Sequence, residues 1–381
     1  MGKRLKGWLI RLLAVMAAGA LLWYLLPLLL APISGTLAQA AAVCTGLSFL
    51  SPATQQMVEQ INDTENQEQA QPLQSATSQP EETVSAQPET VQPAQDTAQA
   101  LAAISDPADT SARPGENTAA VEQQTYREGS SSQYLAMDSG WVRNLSGLGT
   151  EEVLSLSRQD LPFEIERNSD QPQVLIYHTH ATESYLPTLR NWYGLEESFR
   201  SDRNEENMVA MGEVLAQTLE QAGIKVIHDT TQHDNPSYTG AYDRSRETMR
   251  SYLEQYPSIK VTLDVHRDAI TRNDNTIVAP TATVEGQQIA QVMIISCADG
   301  ERIPNFRQNF TFAAALQQQA AQLYPDLMRP ILFDQNRFYN QDLTTGSLLL
   351  EFGSHGNTLA QAKRSAVLVA NSLIALWTGR G

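Results

Sequence analysis

Cysteine is nearly missing from this chain: Cys44 and Cys297 are the two present in 381 residues. That excludes a disulfide scaffold and a Cys-rich zinc module. Bases are scarce too, with 26 Lys and Arg against 43 Asp and Glu and a formal net charge of −17. A nucleic-acid binder needs a basic face to neutralise phosphates, so that class is excluded. Other absences are local. No charged residue occurs from Leu12 to Val58, and no aromatic from Gln56 to Thr125, a stretch with twelve acids and the single base Arg113. The first gap has the composition of a membrane segment. The second cannot bury enough apolar surface to offset the entropy of ordering it.

Lys3, Arg4, Lys6 and Arg11 precede the uncharged run. Its apolar core over 12–33, at ~1.5 Å per helical residue, is long enough to cross a hydrocarbon layer of ~30 Å. Residues 1–11 then form a cytoplasmic basic flank, 12–33 a single transmembrane anchor, and everything after it lies outside the cytoplasm by the positive-inside rule. A cleaved signal peptide is the rival reading, since Leu37-Ala38-Gln39-Ala40 supplies small residues for cleavage. Signal apolar regions usually run ~7–15 residues, shorter than this one. Gln, Ala, Thr, Pro, Ser and Glu then dominate, and 34–132 is expected to be a disordered extracytoplasmic linker acting as a spacer. Hydrophobicity returns over 133–172 with Trp141, Val142, Val153, Leu154 and Phe163. This reads as a pre-domain segment containing a helix near Thr150 to Ser157, with Thr150 as its N-cap.

From 173 to 381 short apolar runs alternate with longer amphipathic ones. Strands are expected at Val174–Tyr177, Ile224–Ile227, Lys260–Val265, Ile289–Ser296 and Ser347–Leu350. Helices are expected at Asn204–Ala222, Ser245–Tyr256, Gln308–Leu323 and Leu359–Trp377. Such alternation implies an α/β domain, a mostly parallel central sheet with helices on both faces. Cys297 is expected to be a buried free thiol in an apolar strand. Sites in sheets of this kind form beyond the carboxyl ends of the strands.

Three strand ends carry the chemistry: Tyr177-His178-Thr179-His180-Ala181-Thr182-Glu183, Asp264-Val265-His266-Arg267-Asp268, and Leu350-Glu351-Phe352-Gly353-Ser354-His355. Four of the six histidines lie there. His180-x-x-Glu183 can reach one Zn²⁺ from a tight turn, and His266 supplies the distant third ligand of an open, hydrolytic site. Glu351 remains as an unligated carboxylate placed to take a proton from water. A carboxylate ending so apolar a strand is costly without a partner or a task. His178 is the rival for His180 and otherwise a neighbour or substrate contact. Glu205 and Glu206 are rivals for the carboxylate ligand, although favourable charge at a helix N-terminus suffices to account for them. Arg267 is an oxyanion candidate, with an ion pair to Asp268 or Asp264 as the structural alternative. Arg337, Tyr339 and Asn340 read as a loop rimming the substrate groove. His228 and His233 read as surface loop residues, and His355 as a rim or loop residue.

These same residues, with Glu183-Ser184-Tyr185, Tyr339-Asn340-Gln341-Asp342-Leu343 and Asn357-Thr358, form an ordered set that resembles the stage II sporulation protein P family. The likeness covers roughly Val174 to the C-terminus, and that family is similar to zinc-dependent N-acetylmuramoyl-L-alanine amidases. The resemblance implies an amidase-like fold and a membrane-anchored peptidoglycan hydrolase at the sporulation septum, active as amidase and endopeptidase during engulfment. It also implies a complex with stage II sporulation proteins D and M. The family's functional positions carry over as His180, His266 and Glu351. Related amidases take their glutamate from nearer the following helix, which keeps Glu205 and Glu206 open beside Glu183. Two other readings compete: a zinc carboxypeptidase on stem peptides, and a non-catalytic wall-binding scaffold.

Overall fold

The structure, a computed structural model, describes residues 93–107, 109 and 117–379. The apolar segment over 12–33, with the question of anchor or signal peptide, lies outside the described residues. Among those described, no helix is long and apolar enough to cross a membrane. The elements in chain order are α1 (Pro93–Ala103), β1 (Thr118–Gln124), β2 (Tyr134–Ala136), β3 (Trp141–Leu145), α2 (Thr150–Leu156), β4 (Val174–Tyr177) and β5 (Trp192–Gly194). Then follow α3 (Met208–Gln221), β6 (Val226–His228), α4 (Ala241–Gln255), β7 (Val261–Asp268), β8 (Ile277–Val284), β9 (Gln287–Ala290) and β10 (Val292–Cys297). The last are α5 (Phe306–Leu323), β11 (Ile331–Asp334), β12 (Gly346–Ser354) and α6 (Leu359–Thr378).

Eight strands form the main sheet in the order β2-β3-β11-β10-β12-β7-β4-β6, and a smaller sheet runs β5-β1-β8-β9. Strand β4 shows why helices lie on both faces. Its alternate residues Val174 and Ile176 join the large core with Met208, Leu215 and Leu368. Leu175 and Tyr177 point the other way, against Met249 of α4. The main sheet is mixed rather than mostly parallel: β12-β7-β4-β6 and β3-β11-β10 run parallel, but β10 is antiparallel to β12 and β2 to β3. The cause of the β10 reversal is local. After β7 the chain turns back through a hairpin, β8-β9, whose two loop residues Glu285 and Gly286 both take positive φ. The returning chain therefore enters the main sheet as β10 from the opposite end. The expected single strand over Ile289–Ser296 is broken at Gln291, whose buried amide binds the backbone of Tyr126 and Asp326.

Helix ends follow short polar side chains. Asn207 caps α3 through Val209 N, and Thr358 with Gln361 forms a capping box on α6. Helix α2 starts where expected, but its N-cap is Gly149 and not Thr150. Two boundaries differ from expectation. The segment 133–172 is no separate pre-domain, because β2 and β3 extend the main sheet and Val142, Val153 and Leu156 belong to its core. Within 34–132, α1 buries Leu101 in that core and β1 pairs with β8 and β5 in the smaller sheet. Backbone pairing in β1 orders a stretch whose Thr-Ala-Ala-Val-Glu-Gln-Gln sequence has little apolar surface of its own. Cys297 is a buried free thiol, as expected.

Candidate functional site

The ladder between β7 and β12 places Glu351 directly beside His266, and paired residues in a parallel ladder project to the same face. Just beyond, β12 takes one extra residue: Glu351 pairs with His266 and Ser354 with Asp268, with Gly353 at φ 65° in between. A β-bulge of this kind re-aims the side chains at a strand end. The neighbouring strand end, 178–184, is held by two buried aspartates. Asp264 of β7 accepts Thr179 N at 2.9 Å and Thr179 Oγ1 at 2.7 Å. Asp234, from the loop before α4, accepts Thr182 N at 3.1 Å and Thr182 Oγ1 at 2.7 Å. His180 is thereby fixed between two clamped residues, and Glu183 directly follows the second.

The side chains so placed form one cluster. The imidazoles of His180 and His266 stand edge to face with ring centroids 5.3 Å apart. Glu183 Oε2 is 3.7 Å from His266 Nδ1 and accepts the backbone N–H of Arg267 at 3.3 Å. Asp264 Oδ1 is 2.8 Å from His266 Nε2, an ion-pair contact that holds the ring from the side away from Glu183. His180 Nδ1 and Glu351 Oε2 are buried and unpartnered. Two unpartnered buried polar atoms on neighbouring groups are available to a ligand here. Tyr238 stacks on His180 at 4.3 Å, and the Tyr242 ring lies 5.4 Å from His180 and 6.4 Å from His266.

Electrostatics divides the cluster. Burial drives His180 down to about 4, against the pull of Glu183, which leaves a neutral imidazole. Burial alone would raise Glu183, but Arg267 and His266 outweigh it and hold the carboxyl below the usual range. His266 is raised well above its ordinary value because Asp264 and Glu183 overcome its burial. Glu351 is pushed up to about 8, first by burial and then by Asp268. Neutral imidazole and ionised carboxylate are the donor forms a Zn²⁺ site requires, and a bound cation would displace the proton that His266 carries without one. Among the described residues, however, no three His, Cys, Asp or Glu side chains stand in metal-holding geometry. The groups fit in kind, and ligation is a matter of proposal.

Other expected residues lie elsewhere. Glu205 and Glu206 have exposed side chains and pair with Arg203 outside the cluster. His178 is fully buried, donates from Nδ1 to Val265 O at 3.0 Å, and meets His228 Nε2 at 2.9 Å, so it offers substrate nothing. Gly212 of α3 makes room for this pair, since a Cβ there would lie 2.6 Å from the His178 ring. Among the described residues Arg267 pairs with no aspartate side chain. Its guanidinium donates to the carbonyls of Ser184, Phe199 and Asp268 and pins the loop that carries Glu183, so most of its donors are committed to the fold. Asn340 is buried and latched to Tyr242 O and Ser245 Oγ of α4. Arg337 donates to Tyr339 Oη at 2.6 Å, and Tyr339 packs against Tyr242 at 5.3 Å, so these two do stand near the cluster. His233 is buried, with Nδ1 on His178 O at 2.9 Å, and His228 is half-buried, so neither is a surface residue. His355 is buried against Phe199.

Sequence reasoning missed Asp234, Tyr238 and Arg200. They occupy irregular loops where no periodicity marks a residue, although Asp234 beside a cluster of loop histidines was a usable signal.

Comparison with known proteins adds to this geometry. Over 238 residues the chain is 30% identical to Stage II sporulation protein P of Bacillus subtilis (strain 168), an alignment spanning 60% of this chain and 56% of that protein. Similar solved structures include the N-acetylmuramoyl-L-alanine amidase AmiC2 of Nostoc punctiforme, at 11% identity and TM-score 0.34, covering 56% of this chain and 99% of that one. Another is an N-acetylmuramoyl-L-alanine amidase from Clostridium difficile 630, at 15% identity and TM-score 0.32, covering 56% and 100%. A third is the CwlD amidase from Clostridioides difficile in complex with the GerS lipoprotein, at 9% identity and TM-score 0.32, covering 53% and 98%. The family model described as Stage II sporulation protein P (SpoIIP) matches residues 40–374, nearly the whole chain beyond its apolar N-terminal segment, and the chain belongs to that family.

Proposed function

We propose that this chain is a membrane-anchored peptidoglycan hydrolase of sporulation. In this reading residues 12–33 are the anchor and the body is extracytoplasmic at the sporulation septum. Its substrate bonds are the N-acetylmuramoyl–L-Ala amide and peptide cross-links, its cofactor is zinc, and its partners are stage II sporulation proteins D and M. The observation that carries the reading is the cluster of His180, Glu183, His266 and Glu351, with its orphaned buried atoms, in a chain of the SpoIIP family.

His180, Glu183 and His266 would hold the zinc ion, which when bound supplies positive charge to polarise an amide carbonyl and acidify water. The chain's own groups do the rest. Glu351 accepts a proton from the water whose oxygen adds to the amide carbon, then delivers it to the leaving nitrogen as the C–N bond breaks. Its high proton affinity suits the return step, and a cation nearby would offset the burial and the Asp268 charge that raise it. Asp264 and Asp234 keep His180 and Glu183 in place through Thr179 and Thr182. Tyr238 and Tyr242 wall the cluster.

The test is hydrolysis of isolated sacculi by the full chain, with and without chelator, beside Glu351→Gln. Chelator-sensitive release of peptides, absent in the variant, is expected, and mass spectrometry of the products separates amide from cross-link cleavage. Protein that neither binds zinc nor releases material would sink the reading in favour of a wall-binding scaffold.

A further inference from the structure

Next to His180 opens a polar cleft of about 430 Å³, lined by Thr182, Arg200, Ser201, Asp202, Arg203 and Asn235 and backed by Asp234. Its inner wall is continuous with the cluster, because Asp234 Oδ2 lies 4.0 Å from His180 Nδ1. Arg200 is anchored by one nitrogen, Nη1, which donates to Asp234 Oδ2 and to Thr182 Oγ1 at 2.8 Å each. Its guanidinium lies 4.8 Å over the Tyr238 ring, the ring that stacks on His180. Among the described residues nothing accepts from its Nε or Nη2, and 42% of the side chain is exposed. The result is a guanidinium fixed by its inner nitrogen, with donors to spare, beside the reacting groups. Arg203, more exposed, pairs with Glu205 and Glu206.

We propose that this cleft is a subsite for a free carboxylate on the substrate's peptide, with Arg200 as the specificity-determining residue. The proposal rests on the peptidoglycan reading above and names what that site discriminates. A chain of net charge −17 repels an anionic polymer at long range. A pre-positioned guanidinium counters this locally and binds a planar carboxylate through paired N–H groups, at little entropic cost. An extended peptide advances ~3.5 Å per residue, so a carboxylate one or two residues beyond the scissile amide falls within reach of a cleft adjoining His180.

The experiment is calorimetric titration of the zinc-loaded full chain carrying Glu351→Gln with two muramoyl peptides, identical except that one is amidated at the carboxylate of its second residue. The free acid is expected to bind about tenfold more tightly than the amide. Adding Arg200→Gln should shrink that gap to about twofold or less, and Arg200→Lys should give an intermediate gap. Arg200→Lys keeps the charge opposite Asp234, so it reports even where Arg200→Gln fails to fold. Equal binding of acid and amide, a gap untouched by both substitutions, or binding of neither peptide would overturn the subsite. The hydrolase reading fails differently: the parent chain then leaves sacculi intact while still preferring the acid.

Discussion

Glu351 is a carboxyl made reluctant to ionise, and that reluctance has a measurable sign. Its proton affinity is raised to about 8, while in the unfolded chain it returns to the ordinary carboxylate range. Between those limits the folded, metal-free protein holds more protons than the unfolded chain, so stability falls as pH rises through that window. Glu351→Gln removes this penalty. Thermal melts of metal-free protein should show the variant gaining on the parent from about pH 5 to about pH 9, and a pH-independent difference would mean that the parent carboxyl is already ionised. The same substitution should abolish turnover while leaving zinc content intact, whereas His266→Ala should lose both; zinc loss on Glu351→Gln would make Glu351 a ligand. Arg267 belongs to a different class, because three backbone carbonyls depend on its guanidinium. Arg267→Met should destabilise the fold by about 2–4 kcal/mol in urea melts, leaving buried acceptors unpaired. Unchanged stability with a lowered kcat would return Arg267 to an oxyanion role.

The end of β12 decides how the chain leaves the sheet just beyond Glu351. Gly353 sits at φ 65°, and a Cβ there would press on Asn357 Oδ1 and lie 2.8 Å from the Ala290 Cβ. Asn357 Oδ1 in turn accepts Ser354 N at 2.9 Å, which closes the bulge onto the start of α6. Gly353→Ala should therefore cost about 1–3 kcal/mol in chemical denaturation, through positive φ and crowding together. Activity should fall further than that loss of stability accounts for, since the bulge follows the acid by two residues; a fully active, equally stable variant would show that the bulge does not position it. The run Leu350-Glu351-Phe352-Gly353 was legible as an apolar strand carrying a carboxylate near its end. The bulge was not, because the extra residue is defined by the register of β7, which only the assembled sheet supplies.

At the scale of the whole molecule, the folded body begins earlier than composition indicates. Leu101 of α1 is fully buried, Arg364 of α6 donates to Ile104 O and pairs with Asp106 at 3.0 Å, and β1 fills the centre of the smaller sheet beside β8. A chain starting at residue 133 would expose the edge of β8 and the face of α6 that α1 covers. It should melt at a lower temperature than one starting at residue 90 and aggregate more readily, as unpaired strand edges do. Equal melting temperatures would restore the linker boundary at 132.

Alternating hydrophobicity and short polar caps sufficed to place β4, β7, β12, α3, α5 and α6 to within a few residues, because burial periodicity is a local property of each element. The same reading named His180, Glu183, His266 and Glu351, since strand ends rich in His and Glu are costly unless they meet. Tertiary structure alone decided the rest. It reversed β10 through the β8-β9 hairpin, drew α1 and β1 out of an apparent linker, and committed His178, Arg267 and Asn340 to internal hydrogen bonds. It also brought Asp234, Arg200 and Tyr238 to His180 from distant loops. Those outcomes depend on which groups are near one another once the chain has closed, and a linear pattern carries no distances between its loops.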